Sequence, residues 1–138
     1  MKFRSATLAA AAIIFVPLYS QSVKQQTEIE ANINRFNVAK VESAAAGYQY
    51  WFVDKKFLDG RTVKLSVVGP GKATHAPHHH PEDEIFFVLE GTAEFYLNGS
   101  RTNVSPLTSL YCPPNSEHGI RNAGTDTLKY LVIKKYEQ

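Results

Sequence analysis

The segment THAPHHHPEDEIFFVLEG, residues 74–91, gathers four of the chain's five histidines within six positions and runs directly into an apolar stretch. In an extended chain, residues of one parity point the same way. His78 and His80 therefore share a face. Glu84 has the same parity, one short turn later. Two imidazoles and a carboxylate on one face make half of an octahedral nitrogen/oxygen site, a donor set that suits Fe(II), Mn(II), Ni(II) or Zn(II). The fifth histidine, His118, lies just past Pro113-Pro114 at the start of a later strand, from which it can close the site. His75 and His79 have the opposite parity. His79 is expected to face away, and His75 to support a ligand from behind.

Outward from this segment the texture is that of short strands. Tyr48 to Val53, Thr62 to Val68, Ile85 to Leu89, Ala93 to Leu97, Arg101 to Val104, Ser109 to Cys112, His118 to Asn122 and Leu128 to Lys134 are each rich in β-branched or aromatic residues. Leu58-Asp59-Gly60-Arg61 and Gly69-Pro70-Gly71 break the early runs. Asn98-Gly99 is a two-residue hairpin signal of the type I′ kind. Eight short strands at close, even spacing mean a sandwich or barrel. In 84–90 both parities are apolar, Phe86 and Val88 on one and Ile85, Phe87 and Leu89 on the other. A strand buried on both faces needs a second cover. The N-terminal segment or a second subunit would supply it, and we expect a homodimer.

The first twenty residues stand apart. Lys2 and Arg4 precede an apolar run, Leu8 to Val16, that Pro17 ends and Ser20, Gln21 and Ser22 follow. That is the layout of a secretory signal, and the run is too short to span a bilayer. We expect export to the periplasm or beyond, with no membrane attachment after cleavage. Residues 21–46 read as an N-terminal extension. Within it, Gln25 to Asn37 are compatible with a short helix, and Ala44-Ala45-Ala46-Gly47 with a linker or turn. The domain proper is then 47–138. Of 15 basic residues, two leave with the leader, against 13 acids. The remainder is formally neutral, which gives nucleic acid binding no electrostatic support. A single cysteine, Cys112, excludes an intrachain disulfide.

Other metal templates fail: the chain has no His-Glu-x-x-His helix motif and too few cysteines for a zinc finger. The spacing His78-x-His80-x-x-x-Glu84-x6-Gly91 resembles the first conserved motif of the cupin superfamily, and Pro113-x-Asn115-x-x-His118-x-x-x-Asn122 resembles its second. The resemblance covers residues 62–134. It implies an all-β, double-stranded β-helix (jelly-roll) barrel with a divalent transition metal in its mouth, held by His78, His80, Glu84 and His118. Three positions depart from the family pattern. Gly71 lies one position further from His78 than the family's glycine. Asn115 replaces a second-motif glycine, a mild change because Asn tolerates the left-handed region. Leu107 replaces another. It does not tolerate that region, so the turn after Pro106 is expected to differ in shape.

Such a site supports Lewis-acid isomerisation or lyase chemistry, or oxygenation. We therefore expect a metal-dependent enzyme on a small oxygenated molecule (sugar-like, keto acid or aromatic). The competing reading is a binding module without turnover. An ionisable pocket wall would favour the first, and an apolar or blocked mouth the second. Tyr50, Tyr96, Tyr111, His75 and Arg121 are the inward candidates for acid–base or carboxylate-binding work. Arg121 is more simply an exposed strand charge, and Cys112 a small buried hydrophobe.

Overall fold

The computed structural model describes residues 30–136. The expected signal at 1–20 lies outside them, as do residues 25–29 of the expected 25–37 helix. The rest of that expectation is corrected, because only 30–31 are helical and 33–37 run without regular structure into the next turn. The chain divides at Asn34/Arg35 into two compact units. In the first, Ile33 N–H donates to the Glu30 carbonyl at 3.2 Å, closing a turn. The second is the barrel. After a 3-10 turn at Val38–Lys40 it carries nine strands: β1 Glu42–Ala44, β2 Gly47–Leu58, β3 Arg61–Val68, β4 Glu84–Glu90, β5 Ala93–Leu97, β6 Ser100–Val104, β7 Thr108–Cys112, β8 His118–Asn122 and β9 Leu128–Lys135. The eight expected strands are present. The sheet also begins earlier than expected, because Ala45-Ala46 make a tight turn that pairs β1 with β2, with Ala46 buried.

All pairings between strands are antiparallel. One sheet has the order β1-β2-β3-β9-β4-β7 and the other β6-β5-β8. Bridges Ala73↔Arg121 and His78↔His118 lay the segment before β4 along β8. The sheets close on a shared core in which Val68, Phe86, Val88, Leu128 and Tyr130 of the larger meet Ala93 and Ile120 of the smaller. Phe86 joins the halves. Its ring lies 6.5 Å from Phe95 and 5.6 Å from Tyr130, both near perpendicular, the edge-to-face arrangement that aromatic quadrupoles favour.

The register fixes which parity looks inward. Thr62, Lys64, Ser66 and Val68 of β3 stand beside Lys134, Val132, Tyr130 and Leu128 of β9. These in turn stand beside Glu84, Phe86 and Val88 of β4. Thr62, Ser66, Glu84 and Lys134 are buried. The interior is thus apolar at one end and polar at the other. The opposite parity carries Val63, Ile133, Ile85 and Tyr111 in one row across the outer face. Ile133 is 40% exposed and Tyr111 52%. Among the described residues, part of this face is covered near β2. There Tyr50 donates to the Arg35 carbonyl at 2.8 Å, and Phe36 packs on its ring at 4.7 Å.

Turn chemistry largely follows the sequence. Asn98 and Gly99 both have positive φ, 46° and 88°, as a type I′ hairpin requires. Asn115 takes φ 59°. Leu107 corrects our expectation: it adopts φ 61° in place of a glycine. Its N–H donates to the Val88 carbonyl at 2.8 Å, and its side chain is 79% exposed. An anchored backbone and an unobstructed side chain let the chain carry the roughly 1–2 kcal/mol of left-handed strain.

On the outer face of the small sheet, Glu94 accepts from Arg121 Nη2 at 2.8 Å and from Arg101 Nη1 at 2.7 Å. Arg121 first, then Arg101, hold its carboxyl below the ordinary value. A folded value below the unfolded one gives stability that is present above the unfolded pKa and lost as pH falls through the folded one. The gap in Tm between the parent and Glu94→Gln should therefore be widest above the ordinary glutamate pKa and shrink as pH falls below it. A pH-independent gap in thermal scans would refute this.

Candidate metal centre

Backbone pairing brings the histidines together. His78 and His118 exchange two N–H···O bonds, at 3.0 and 2.9 Å, and Asn115 N–H donates to the His80 carbonyl at 2.8 Å. The rings lie close: centroids are 5.0 Å apart for His78 and His118, 4.7 Å for His80 and His118, and 5.5 Å for His78 and His80. One nitrogen of each falls within 4.8 Å of the others. Glu84, the first residue of β4, places Oε2 3.1 Å from His118 Nε2 and 3.6 Å from His80 Nε2.

The protons are fixed from behind. Nδ1 of His78 faces the Ala76 carbonyl at 3.2 Å, that of His80 the Glu82 carbonyl at 2.8 Å, and that of His118 the Ser116 carbonyl at 2.8 Å. A carbonyl only accepts, so each Nδ1 is placed to donate and each Nε2 is the nitrogen turned toward the site, that of His118 meeting the Glu84 carboxylate. His80 Nε2 is buried with no hydrogen-bond partner. Convergent imidazole nitrogens beside a carboxylate repel one another unless a cation or added protons stand between them. The residues therefore fit a divalent metal, with each ligand oriented through its distal nitrogen. All four sequence-derived ligand positions are gathered here, and the exposed His79 is not among them.

A cavity of about 90 Å³ opens onto these donors. Lys64, Thr74, His75, Tyr130, Lys134 and Tyr136 contribute to its wall, over an apolar floor of Phe86, Ile120 and Val132. Thr74 Oγ1 and Tyr130 OH lie 3.1 Å apart. Burial raises the Tyr130 hydroxyl above its ordinary pKa, so it stays protonated. Cys112 is fully buried beside Glu84 and His118. Burial first, then the Glu84 charge, push its thiol up to about 12, so it packs as an apolar group.

Of the inward candidates, His75 lines the cavity, 5.7 Å from His78 ring to ring. Arg121 is the exposed strand charge that the simpler reading expected, and the three tyrosines are corrected. Tyr50 and Tyr111 sit on the outer parity of the large sheet. Tyr96 and Arg121 sit on that of the small one, where Tyr96 donates to Glu117 at 2.5 Å and Arg121 clamps Glu94. The sequence missed Lys64, Tyr130 and Lys134. The one usable signal was alternation within 128–134, which puts Tyr130 and Lys134 on the parity of Leu128 and Val132.

A family model described as "Cupin domain" matches residues 64–134. Over 72 residues the chain is 35% identical to mannose-1-phosphate guanylyltransferase of Salmonella typhimurium, a match covering 52% of this chain and 15% of that protein. Over 67 residues it is 31% identical to 5-nitrosalicylic acid 1,2-dioxygenase of a Bradyrhizobium species, covering 48% of this chain and 32% of that enzyme. The chain thus spans well under half the length of both. Among solved structures, a Cupin 2 conserved barrel domain protein from Salinispora arenicola superposes with TM-score 0.62 at 21% identity, over 75% of this chain and 87% of that one. That likeness concerns the fold.

Proposed function

The chain belongs to the cupin superfamily, and from that premise we propose that it is a metal-dependent enzyme acting on a small oxygenated molecule, with His78, His80, Glu84 and His118 as the ligands. The observation that carries this reading is the convergence of three imidazole nitrogens and a carboxylate, with His80 Nε2 buried and unpartnered. The cavity wall favours catalysis over mere binding, because Lys64, Tyr130 and Lys134 put ionisable groups around the donors.

A bound Fe, Mn, Ni or Zn ion would supply Lewis acidity and, for iron, oxygen chemistry. The chain's own residues do the rest. The carbonyls of Ala76, Glu82 and Ser116 hold the imidazoles in one tautomer. Phe86, Ile120 and Val132 keep the floor dry. Tyr130 OH, bonded to Thr74, holds a proton at the edge of the cavity. Oxygenation is supported by the relative named a 1,2-dioxygenase, and isomerisation by the Lewis-acid character of the donor set.

Metal content after growth in single-metal media tests the reading. About one ion per chain supports it, with iron directing the search to oxygen-uptake assays and manganese, nickel or zinc to isomerase and lyase assays. A chain that stays metal-free under every supply would sink it. We also propose export of the chain after removal of residues 1–20, tested by N-terminal sequencing of the exported protein.

The half-exposed row Val63, Ile133, Ile85 and Tyr111 supports a homodimer formed through this face. Two charges facing their own symmetry copies in a desolvated patch cost several kcal/mol. Ile85→Glu combined with Ile133→Glu should thus elute at the mass of one chain where the parent elutes at two. A parent already at one chain mass would end this part of the proposal.

A further inference from the structure

Lys64 presents a half-buried ammonium to the cavity that holds the metal donors. Among the described residues it has no ion-pair partner, only the Trp51 ring at 5.2 Å. Lys134, on the neighbouring strand, is already matched by Glu82 at 3.3 Å. Lys64 and Lys134 stand against Glu82, Glu84 and Glu42, the last also acting on Lys64, so a divalent ion among neutral imidazoles leaves the mouth with a net positive charge. Uncompensated charge in a partly desolvated cavity is unfavourable, and an anion is the group that relieves it. The recess at the donors is small, about 90 Å³, and shares Thr74, His75, Gly119 and Ile120 with a neighbouring cavity of about 690 Å³, so the group held at the donors is small whatever extends beyond it.

We propose that the ligand of this barrel is a small carboxylic acid of the α-hydroxy or α-keto type, whose carboxylate is anchored by Lys64. This rests on the metal reading above. One carboxylate oxygen accepts from Nζ of Lys64, and the remaining oxygens face the histidine and glutamate donors. Burial holds the Lys64 ammonium below its ordinary pKa against the opposing pull of Glu84 and Glu42. Lys64 thereby selects for charge and orients the acid, leaving the chemistry to groups deeper in the cavity.

The test uses the full chain loaded with Mn(II), with glycolate and pyruvate as probes and glycolamide as the uncharged control, read by water-proton relaxation. The parent should bind both acids and discriminate against glycolamide. Lys64→Met should weaken acid binding by about 10- to 100-fold, the effect of losing a hydrogen bond to a charged group. Its Mn(II) affinity should stay within a few-fold of the parent's, and Lys64→Arg should retain most acid binding. Equal acid affinity in Lys64→Met, or glycolamide binding as tightly as glycolate, would overturn the inference while leaving the metal site intact. A parent that fails to take up Mn(II) would overturn both. Should Lys64→Met not fold, the glycolate–glycolamide contrast and Lys64→Arg decide.

Discussion

Metal content should drop from about one ion per chain to below about a tenth in a His78→Ala/His80→Ala double variant, while the barrel stays folded. Both side chains sit on the segment before β4, outside the apolar core, and both backbones are held independently of their rings. A second readout follows from linkage. At a free ion concentration of about 100 times Kd, binding to the folded state alone adds about 2.7 kcal/mol. For a domain of this size that raises Tm by roughly 10–20 °C. The loaded parent should lose this increment to a chelator, and the double variant should be indifferent to it. Without metal the ordering should reverse, with the double variant melting at or above the parent, because it lacks two of the convergent imidazoles and the orphaned His80 Nε2. A chelator-insensitive parent, or a metal-free double variant well below the parent, would count against the arrangement.

Asn122→Ala should be among the most damaging single changes, lowering stability by about 3–5 kcal/mol, or Tm by roughly 15–30 °C. Asn122 ends β8 and is fully buried. Its Nδ2 donates to the Val68 carbonyl at 2.9 Å and to the Asp126 carbonyl at 2.7 Å, and its Oδ1 accepts from Gly124 N–H at 2.9 Å. One side chain thus ties β8 to the end of β3 and to the turn into β9. Truncation strands three backbone groups at once, and an unsatisfied buried group costs about 1–3 kcal/mol. Asn122→Asp sharpens the test. It keeps the acceptor for Gly124 but sets an oxygen against two carbonyl oxygens. It should be at least as harmful as Asn122→Ala at neutral pH and recover partly on acidification, when a protonated carboxyl can donate once. Chemical denaturation at two pH values measures both effects, and a mild Asn122→Asp would show that the two donated bonds carry little.

Asn122 also illustrates the limit of reading a chain by its letters. Its place in the spacing after His118 was plain, but its work was not, because its three partners are supplied by residues 68, 124 and 126. Three residues of the candidate metal centre were legible for a local reason. His78 and His80 share a parity in an extended stretch, and Glu84 regains it after one short turn. The Asn98-Gly99 hairpin was legible likewise, since two left-handed residues in sequence allow little else. Leu107 went the other way: a local steric rule was overridden by a backbone hydrogen bond to β4 and an open path for its side chain.

What the sequence determined by itself was therefore eight of the nine described strands, most of their turns and the shared face of His78, His80 and Glu84, all matters of period and neighbouring backbone, while the resemblance supplied His118. Which parity of β3 faces the barrel was decided only by the tertiary structure. Val63, Leu65 and Val67 are the apolar set, yet Thr62, Lys64 and Ser66 line the interior with Val68. The physical reason is that burial depends on what covers each face. The outside of the large sheet is an apolar surface, partly covered by the chain's own N-terminal segment, whereas the open end of the inside is a polar site. Lys64 becomes legible only once β9 and β4 stand beside it and bring Glu84, His78 and His80 into the same cavity.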